Sequence, residues 1–99
     1  MASEKKLAIT AQNTWTDTIE VAYGNGVALD ASASTGVGTV VLQRSLDGTN
    51  WIDIMSKSIN NSADGGDYLP LTVMSVRAGI KTGGFTSGTI NVVLRTRWS

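Results

Sequence analysis

Along most of this chain apolar and polar residues alternate with a period of two, the period of a strand that buries one face. The best specified stretch is Gly38 to Ile54, GTVVLQRSLDGTNWIDI, in which two β-branched and aliphatic runs flank Ser45, Asp47, Gly48 and Asn50. An Asp-Gly turn between such runs is the signature of a hairpin. Pairing Ser45 with Trp51 sets Leu42 opposite Ile54 and Gln43 opposite Asp53. Val40, Leu42, Ile52 and Ile54 then share one face, and Val41, Gln43, Trp51 and Met55 the other. Both faces are partly apolar, so the hairpin needs cover on each side, from a second sheet or from another subunit. A bulge near the turn would move Trp51 to the opposite face.

The remaining segments read in the same way. Lys5 to Gln12 alternates Leu7, Ile9 and Ala11 against Ala8 and Thr10, and Asn13 ends that strand. Trp15 to Tyr23 continues to the Gly24-Asn25-Gly26 turn. Pairing across it matches Tyr23 with Val27, Val21 with Leu29 and Ile19 with Ala31, leaving Glu20 and Asp30 outside. Ala31 to Gly38 is expected to be a crossing loop, and Ser56 to Gly66, SKSINNSADGG, a surface excursion. Asp67 to Leu71 reads as a short strand whose Pro70 belongs at an edge or strand end. Met74 to Ile80 and Thr89 to Trp98 form a third expected hairpin across the loop KTGGFTSG, with Ile80 facing Ile90, Ala78 facing Val92 and Val76 facing Leu94.

Composition agrees with this class. Eleven glycines, one proline and abundant Thr, Ser and Val disfavour helix and favour short strands joined by glycine turns. The expected fold is all-β: an antiparallel β-sandwich, Ig-like or jelly-roll-like, of about seven to eight strands with no significant helix. Its core is expected to hold Leu42, Ile54, Ile90, Val92 and Leu94. Residues 1–99 are expected to form a single domain, since 99 residues with 41% hydrophobic content leave no room for a second core. Eight basic residues balance eight acidic ones without a like-charge run, which disfavours a nonspecific nucleic-acid binder. No apolar run reaches the length of a signal sequence or membrane span, so no membrane partner is expected.

Candidate chemistry is sparse. The chain has no His and no Cys, and no two carboxylates flank a nucleophile in a recognised spacing, so no catalytic residue is expected. Asn60, Ser62, Asp64 and Gly65 match the first half of a calcium loop, but its twelfth position is Leu71 where a bidentate Glu is required. Asn60-Asn61-Ser62 is also a glycosylation sequon, which has meaning only in a secreted protein. The pairs Gly65-Gly66 and Gly83-Gly84 precede no helix that would offer a dipole to phosphate. No cofactor or metal site is expected.

Ser45-Leu46-Asp47-Gly48-Thr49-Asn50-Trp51 resembles the S-x-D-G-x-x-W hairpin of discoidin-like carbohydrate-binding sandwiches and is one residue short of the sialidase Asp-box spacing. The resemblance implies a structural turn at Ser45, Asp47, Gly48 and Trp51, with Asp47 capping backbone amides and Trp51 packed beneath. A wider resemblance covers about the last sixty residues. Thr39, Val40, Leu42, Gln43, Arg44, Ser45, Asp47, Gly48 and Trp51, followed by Ser87, Gly88, Thr89, Ile90, Asn91 and Val92, are similar to small all-β virion proteins of tailed bacteriophages. Those proteins carry a T-V-x-L-Q-R-S-x-D-G-x-x-W hairpin before a terminal S-G-T-[IV]-N-V strand. Where they have a YRLR-like strand, this chain has Met74-Ser75-Val76-Arg77.

That resemblance implies a virion structural role: a capsid decoration or cement protein, a head fibre or a tail component. The expectation taken from it is a non-enzymatic capsid decoration protein that binds the major capsid protein lattice, made in the host cytoplasm and located in the virion. A carbohydrate-binding sandwich module or a tail or fibre component is the alternative. The partners expected are the major capsid protein or another virion protein and further copies of the same chain, with no nucleic acid. Val41, Trp51, Met55, Arg77, Arg95 and Arg97 are the expected protein interface: an apolar set on the outer hairpin face, and arginines able to fork carboxylates.

Overall fold

The computed structural model describes residues 2–97, and the side chains of residues 4–96. Among the described residues there is no helix. Ten strands run in the order β1 (Ala2–Ile9), β2 (Thr14–Trp15), β3 (Ile19–Val21), β4 (Val27–Ser32), β5 (Gly36–Ser45), β6 (Ile52–Asn60), β7 (Ala63–Tyr68), β8 (Met74–Ile80), β9 (Phe85–Gly88) and β10 (Ile90–Arg97). They build two antiparallel sheets. Sheet A has the order β1-β10-β4-β7. Sheet B has the order β2-β8-β5-β6, with β3 also on β8 and β9 also on β5.

The sheets face each other and form the all-β sandwich that the alternating pattern predicts. Leu29, Ala31, Ile90, Val92 and Leu94 of sheet A meet Val40, Leu42, Val76, Ala78 and Ile80 of sheet B, all buried. Ile9, Ile19, Val21, Val27, Ile59 and Met74 complete this core, and Ile54 packs against it while only partly buried. Burial of these side chains, at about 25 cal/mol per Å² of apolar surface, is the main force holding the layers together.

Two of the three expected hairpins do not form. β3 joins sheet B, where Ile19 pairs with Val76, whereas β4 joins sheet A between β10 and β7. The turn at Gly24, with φ +80°, therefore carries the chain from one layer to the other. β8 and β10 are likewise in different sheets, and β9 lies between them in sequence as an added strand on β5. Residues expected to pair through hydrogen bonds instead meet face to face in the core. An alternating pattern fixes which side chains point inward, and that condition is met equally by strands in one sheet and by strands in opposed sheets.

Other expected boundaries shift as well. β1 ends at Ile9, before Ala11 and Gln12, and the strand expected over Trp15 to Tyr23 is split. At the break, buried Thr16 bonds Ala78 in place of a continuous ladder: its N–H donates to the Ala78 carbonyl at 2.8 Å, and its hydroxyl accepts the Ala78 N–H at 3.1 Å. Only residues 33–35 of the expected crossing loop lie outside strands. The Ser56 to Gly66 excursion is strand on both sides of a turn at Asn61, which has φ +51°. Small and charged residues hid those strands, because tertiary pairing rather than intrinsic propensity stabilises them. Gly65 lies against the Leu29 carbonyl, where a Cβ would approach to 2.7 Å, and a Cβ on Gly66 would meet the Met55 sulfur at 2.6 Å.

The central hairpin forms, with a bulge. Gln43 pairs with Asp53 and Arg44 with Ile52, as the Ser45–Trp51 register requires, but Leu42 then pairs with Met55. The extra residue turns Met55 to the core side, where it packs on the apolar cluster, and it leaves Trp51 on the outer face. Met55 is therefore not part of an outward apolar set. The fold leads to a direct test: Leu42→Ala, which truncates a fully buried side chain, is expected to cost about 2–5 kcal/mol in a denaturant titration.

Candidate functional site

The turn after β5 is built around one carboxylate. Asp47 Oδ1 accepts the N–H groups of Thr49 and Asn50, each at 2.8 Å, and the Ser45 hydroxyl at 3.0 Å. Its Oδ2 accepts the Asn50 side-chain amide at 2.7 Å. The Ser45 hydroxyl in turn accepts the Gly48 N–H at 2.8 Å, and Gly48 has φ +81°, a conformation that favours glycine. Hydrogen bonds from the Asn50 and Thr49 backbones, then from the side chains of Asn50 and Ser45, hold the Asp47 pKa far below the ordinary carboxylate range. The carboxylate is thus consumed by the turn, the structural role expected for it. Trp51 does not pack beneath the turn; its ring stacks on Arg77.

That contact belongs to a larger arrangement on the outer face of sheet B. The Arg77 guanidinium lies 4.2 Å from the centroid of the Trp15 ring and 4.3 Å from that of Trp51, so one cation is stacked between two indoles. Cross-strand register places the three partners. Arg77 on β8 pairs with Gln43 on β5, Gln43 pairs with Asp53 on β6, and Trp15 on β2 pairs with Gly79. Glycine is required there because a Cβ on residue 79 would come within 2.8 Å of the Trp15 ring and closer still to the Thr14 carbonyl. Val41 lies opposite Gly79 and is buried at 5% exposure, although it is outside the intersheet core.

A chain of polar contacts runs across the same face. Arg77 Nε donates to Gln43 Oε1 at 3.0 Å, Gln43 Nε2 donates to Asp53 Oδ1 at 2.7 Å, and Lys81 Nζ donates to Asp53 Oδ2 at 2.8 Å. Lys81 and Gln43 lower the Asp53 pKa, and burial lowers that of Arg77. Asn13, Trp15, Gln43, Trp51, Asp53, Arg77, Lys81 and their neighbours line an open depression of about 730 Å³.

The expected interface set is therefore divided. Val41, Trp51 and Arg77 share the outer face of sheet B, with Val41 already covered. Met55 faces the core. Arg95 lies on the outer face of sheet A, where it forms an ion pair with Glu4. Arg97 pairs with Ala2 through its backbone, and its side chain lies outside the described residues. Asp53 lies opposite Gln43 as the turn register predicts, whereas Trp15 is not expected at this face. The signal that would have found Trp15 is Gly79, a missing side chain in an otherwise well-filled strand, which marks a close approach. Of the calcium-like residues, Asn60 ends β6, Ser62 lies in the β6–β7 turn, and Asp64 and Gly65 belong to β7; in the turn Ser62 Oγ accepts the Asn60 N–H at 3.2 Å and Asn61 Oδ1 accepts the Gly36 N–H at 2.9 Å.

A second surface lies at one end of the sandwich. The turns and loops 22–26, 46–51 and 69–73 meet there: Val21 pairs with Met74, Ser45 with Ser75 and Val27 with Tyr68, and the Gly24 N–H donates to the Pro70 carbonyl at 3.1 Å. Tyr23, Leu46, Ile52, Leu69, Leu71 and Val73, the large hydrophobic residues with high exposure among those described, all belong to this end, each 57–72% exposed.

Two outcomes test the local chemistry. Because Asp47 and Asp53 have folded pKa values below the ordinary carboxylate value of 3.8, the stability they contribute is fully present above that value and is lost as pH falls through the folded values. The thermal midpoint is expected to be flat between about pH 7 and 5 and to fall below about pH 4, less steeply in Asp47→Asn, when followed by circular dichroism. Gly48→Val is expected to lower it at every pH. Gly79→Ala, which forces β2 and the Trp15 ring off β8, is expected to cost about 1–3 kcal/mol in denaturant unfolding and to expose tryptophan to quenchers.

No family model and no curated protein matches this sequence. Among solved structures the chain is similar to the crystal structure of Yersinia pseudotuberculosis-derived mitogen (YPM), with a TM-score of 0.57 and 14% sequence identity over 100% of this chain and 86% of that one. At that identity the likeness is one of fold.

Proposed function

We propose that this chain is a structural protein of a tailed-bacteriophage virion, a capsid decoration protein that attaches to the major capsid protein lattice and has no enzymatic role. The observation that carries the reading is the apolar end. Six large side chains at these exposures present on the order of 600 Å² at one pole, at the top of the range for the largest apolar patch on a monomeric protein. A pole of that kind suits a small protein that stands on a larger surface. The hairpin and terminal-strand resemblance to phage virion proteins points the same way.

The sheet edges support attachment through this pole rather than through strand addition. On edge strand β1, Lys5 has the parity of core-facing Leu7 and Ile9. Edge strand β6 is bulged, and its Lys57 is paired with core-facing Val40. The β2 and β3 edge is broken at residues 16–18, and β7 carries Gly65-Gly66. Inward charges, bulges and breaks are the features that discourage edge-to-edge pairing. An isolated subunit binds weakly through one pole, and a repeating lattice with linked copies strengthens binding through multivalency.

Co-sedimentation with empty capsids of the encoding phage tests this proposal, with light scattering to report self-association. Wild type is expected to sediment with capsids, and Leu71→Glu and Leu46→Glu, both at exposed positions, to lose about tenfold or more in affinity while keeping the wild-type thermal midpoint. A folded wild type that ignores capsids contradicts the proposal.

A further inference from the structure

The depression on sheet B holds a cation, Arg77, that no carboxylate among the described residues neutralises. Among the described residues the ion pairs are Lys6 and Arg95 with Glu4, and Lys81 with Asp53. Arg77 is in none of them. Its Nε is occupied by Gln43, and Asp53, the carboxylate of this face, is already held by Gln43 at 2.7 Å and Lys81 at 2.8 Å. The guanidinium is fixed in place by two indole rings, one on each side. Among the described residues its two terminal nitrogens have no protein acceptor, and Arg44 Nε is the only buried side-chain polar atom without a partner, so the Arg77 nitrogens remain open to the depression.

These features define a ligand. A positive charge that is partly desolvated and unpaired favours an anion, and the fork of a guanidinium matches the two oxygens of a carboxylate. Lys81 lines the same depression and adds an ammonium, so Arg77, Lys81 and Asp53 together carry one net positive charge. Half-buried Trp15 and Trp51 supply aromatic surface of the kind that stacks against the C–H face of a ring, and Asn13 and Thr82 supply neutral hydrogen-bonding groups at the rim. A volume of about 730 Å³ is of the size that holds a small molecule.

We propose that this depression binds an acidic sugar, with the sugar carboxylate forked by the Arg77 terminal nitrogens and its ring against the indoles. The shared chemistry is a pyranose carboxylate, which a uronic acid or a sialic acid would present. The inference does not rest on the capsid reading, and the depression borders the apolar end, with Ile52 belonging to both. Arg77 and Asp53 lie on the outer face of sheet B. Because the depression is shallow, a single sugar is expected to bind with a dissociation constant on the order of 0.1–1 mM, and repeated copies on one particle would add avidity.

Titration of tryptophan emission tests the proposal, with trigalacturonate and sialyllactose as the two acidic probes and maltotriose and inorganic phosphate as controls. At least one acidic sugar is expected to saturate the signal, with the difference between the two naming the source of the carboxylate, and added salt is expected to weaken binding. Arg77→Lys keeps the charge but removes the fork and is expected to weaken binding by about tenfold or more. Lys81→Gln, at an exposed position, is expected to weaken it severalfold while leaving the fold intact, so the test survives if the Arg77 variant unfolds. No saturable response to either acidic sugar from folded wild type overturns the proposal. So does equal binding of maltotriose, of phosphate, or of a poly-glutamate peptide, which would make the face a general binding surface or a protein contact. Unchanged affinity in a folded Arg77→Lys overturns it as well.

Discussion

Strand β5 must be covered on both faces, and most of the structure follows from that constraint. None of its ten residues is exposed. Inside, Val40 and Leu42 pack in the intersheet core. Outside, Val41 and Gln43 are buried at 5% and 6% exposure without a second sheet above them. Cover on that side comes from neighbouring strands: Trp15 from β2, Arg77 from β8, and Trp51 from the start of the return hairpin. Gln43 is acceptable in this position because it is hydrogen-bonded at both ends, to Arg77 and to Asp53. Loss of Arg77 and Asp53 as partners would leave a buried amide unsatisfied.

How far the sequence discloses this architecture depends on which physical signal each feature leaves. Inward-facing positions leave a strong one: Ile19, Val21, Leu29, Ala31, Val76, Ala78, Ile80, Ile90, Val92 and Leu94 are all core, as alternation requires. Partner choice leaves almost none. The same residues satisfy a hairpin or an arch between layers, and the arches at Gly24 and Asn61 differ from hairpin turns only in where the chain goes next. The bulge that turns Met55 inward is equally silent, because one extra residue in a well-alternating strand changes parity without changing composition.

The candidate site was legible in pieces. Gln43 opposite Asp53 followed from the turn register, and Gly48 and Asp47 followed from turn chemistry, since each rests on contacts a few residues apart. The Trp15–Arg77–Trp51 stack joins three elements distant in sequence, and only the sheet order β2-β8-β5-β6 brings them together. Arg77 and Arg95 appear equivalent in an alternating pattern, yet they lie on opposite sides of the sandwich. The two surfaces that result are chemically distinct: an apolar pole formed by loops, and a polar aromatic face held on a sheet.

The Trp15–Arg77–Trp51 stack is the cover of β5, and the side-chain resonances of Arg77 report on it. Protons above an indole face are shielded, so the Arg77 δ protons are expected well upfield of their usual position in the folded protein. Its Nε proton, bonded to Gln43 Oε1, is expected to exchange slowly with water. Arg77 resonances at ordinary solvated positions, with rapid Nε exchange in a protein that is otherwise folded, would contradict the account.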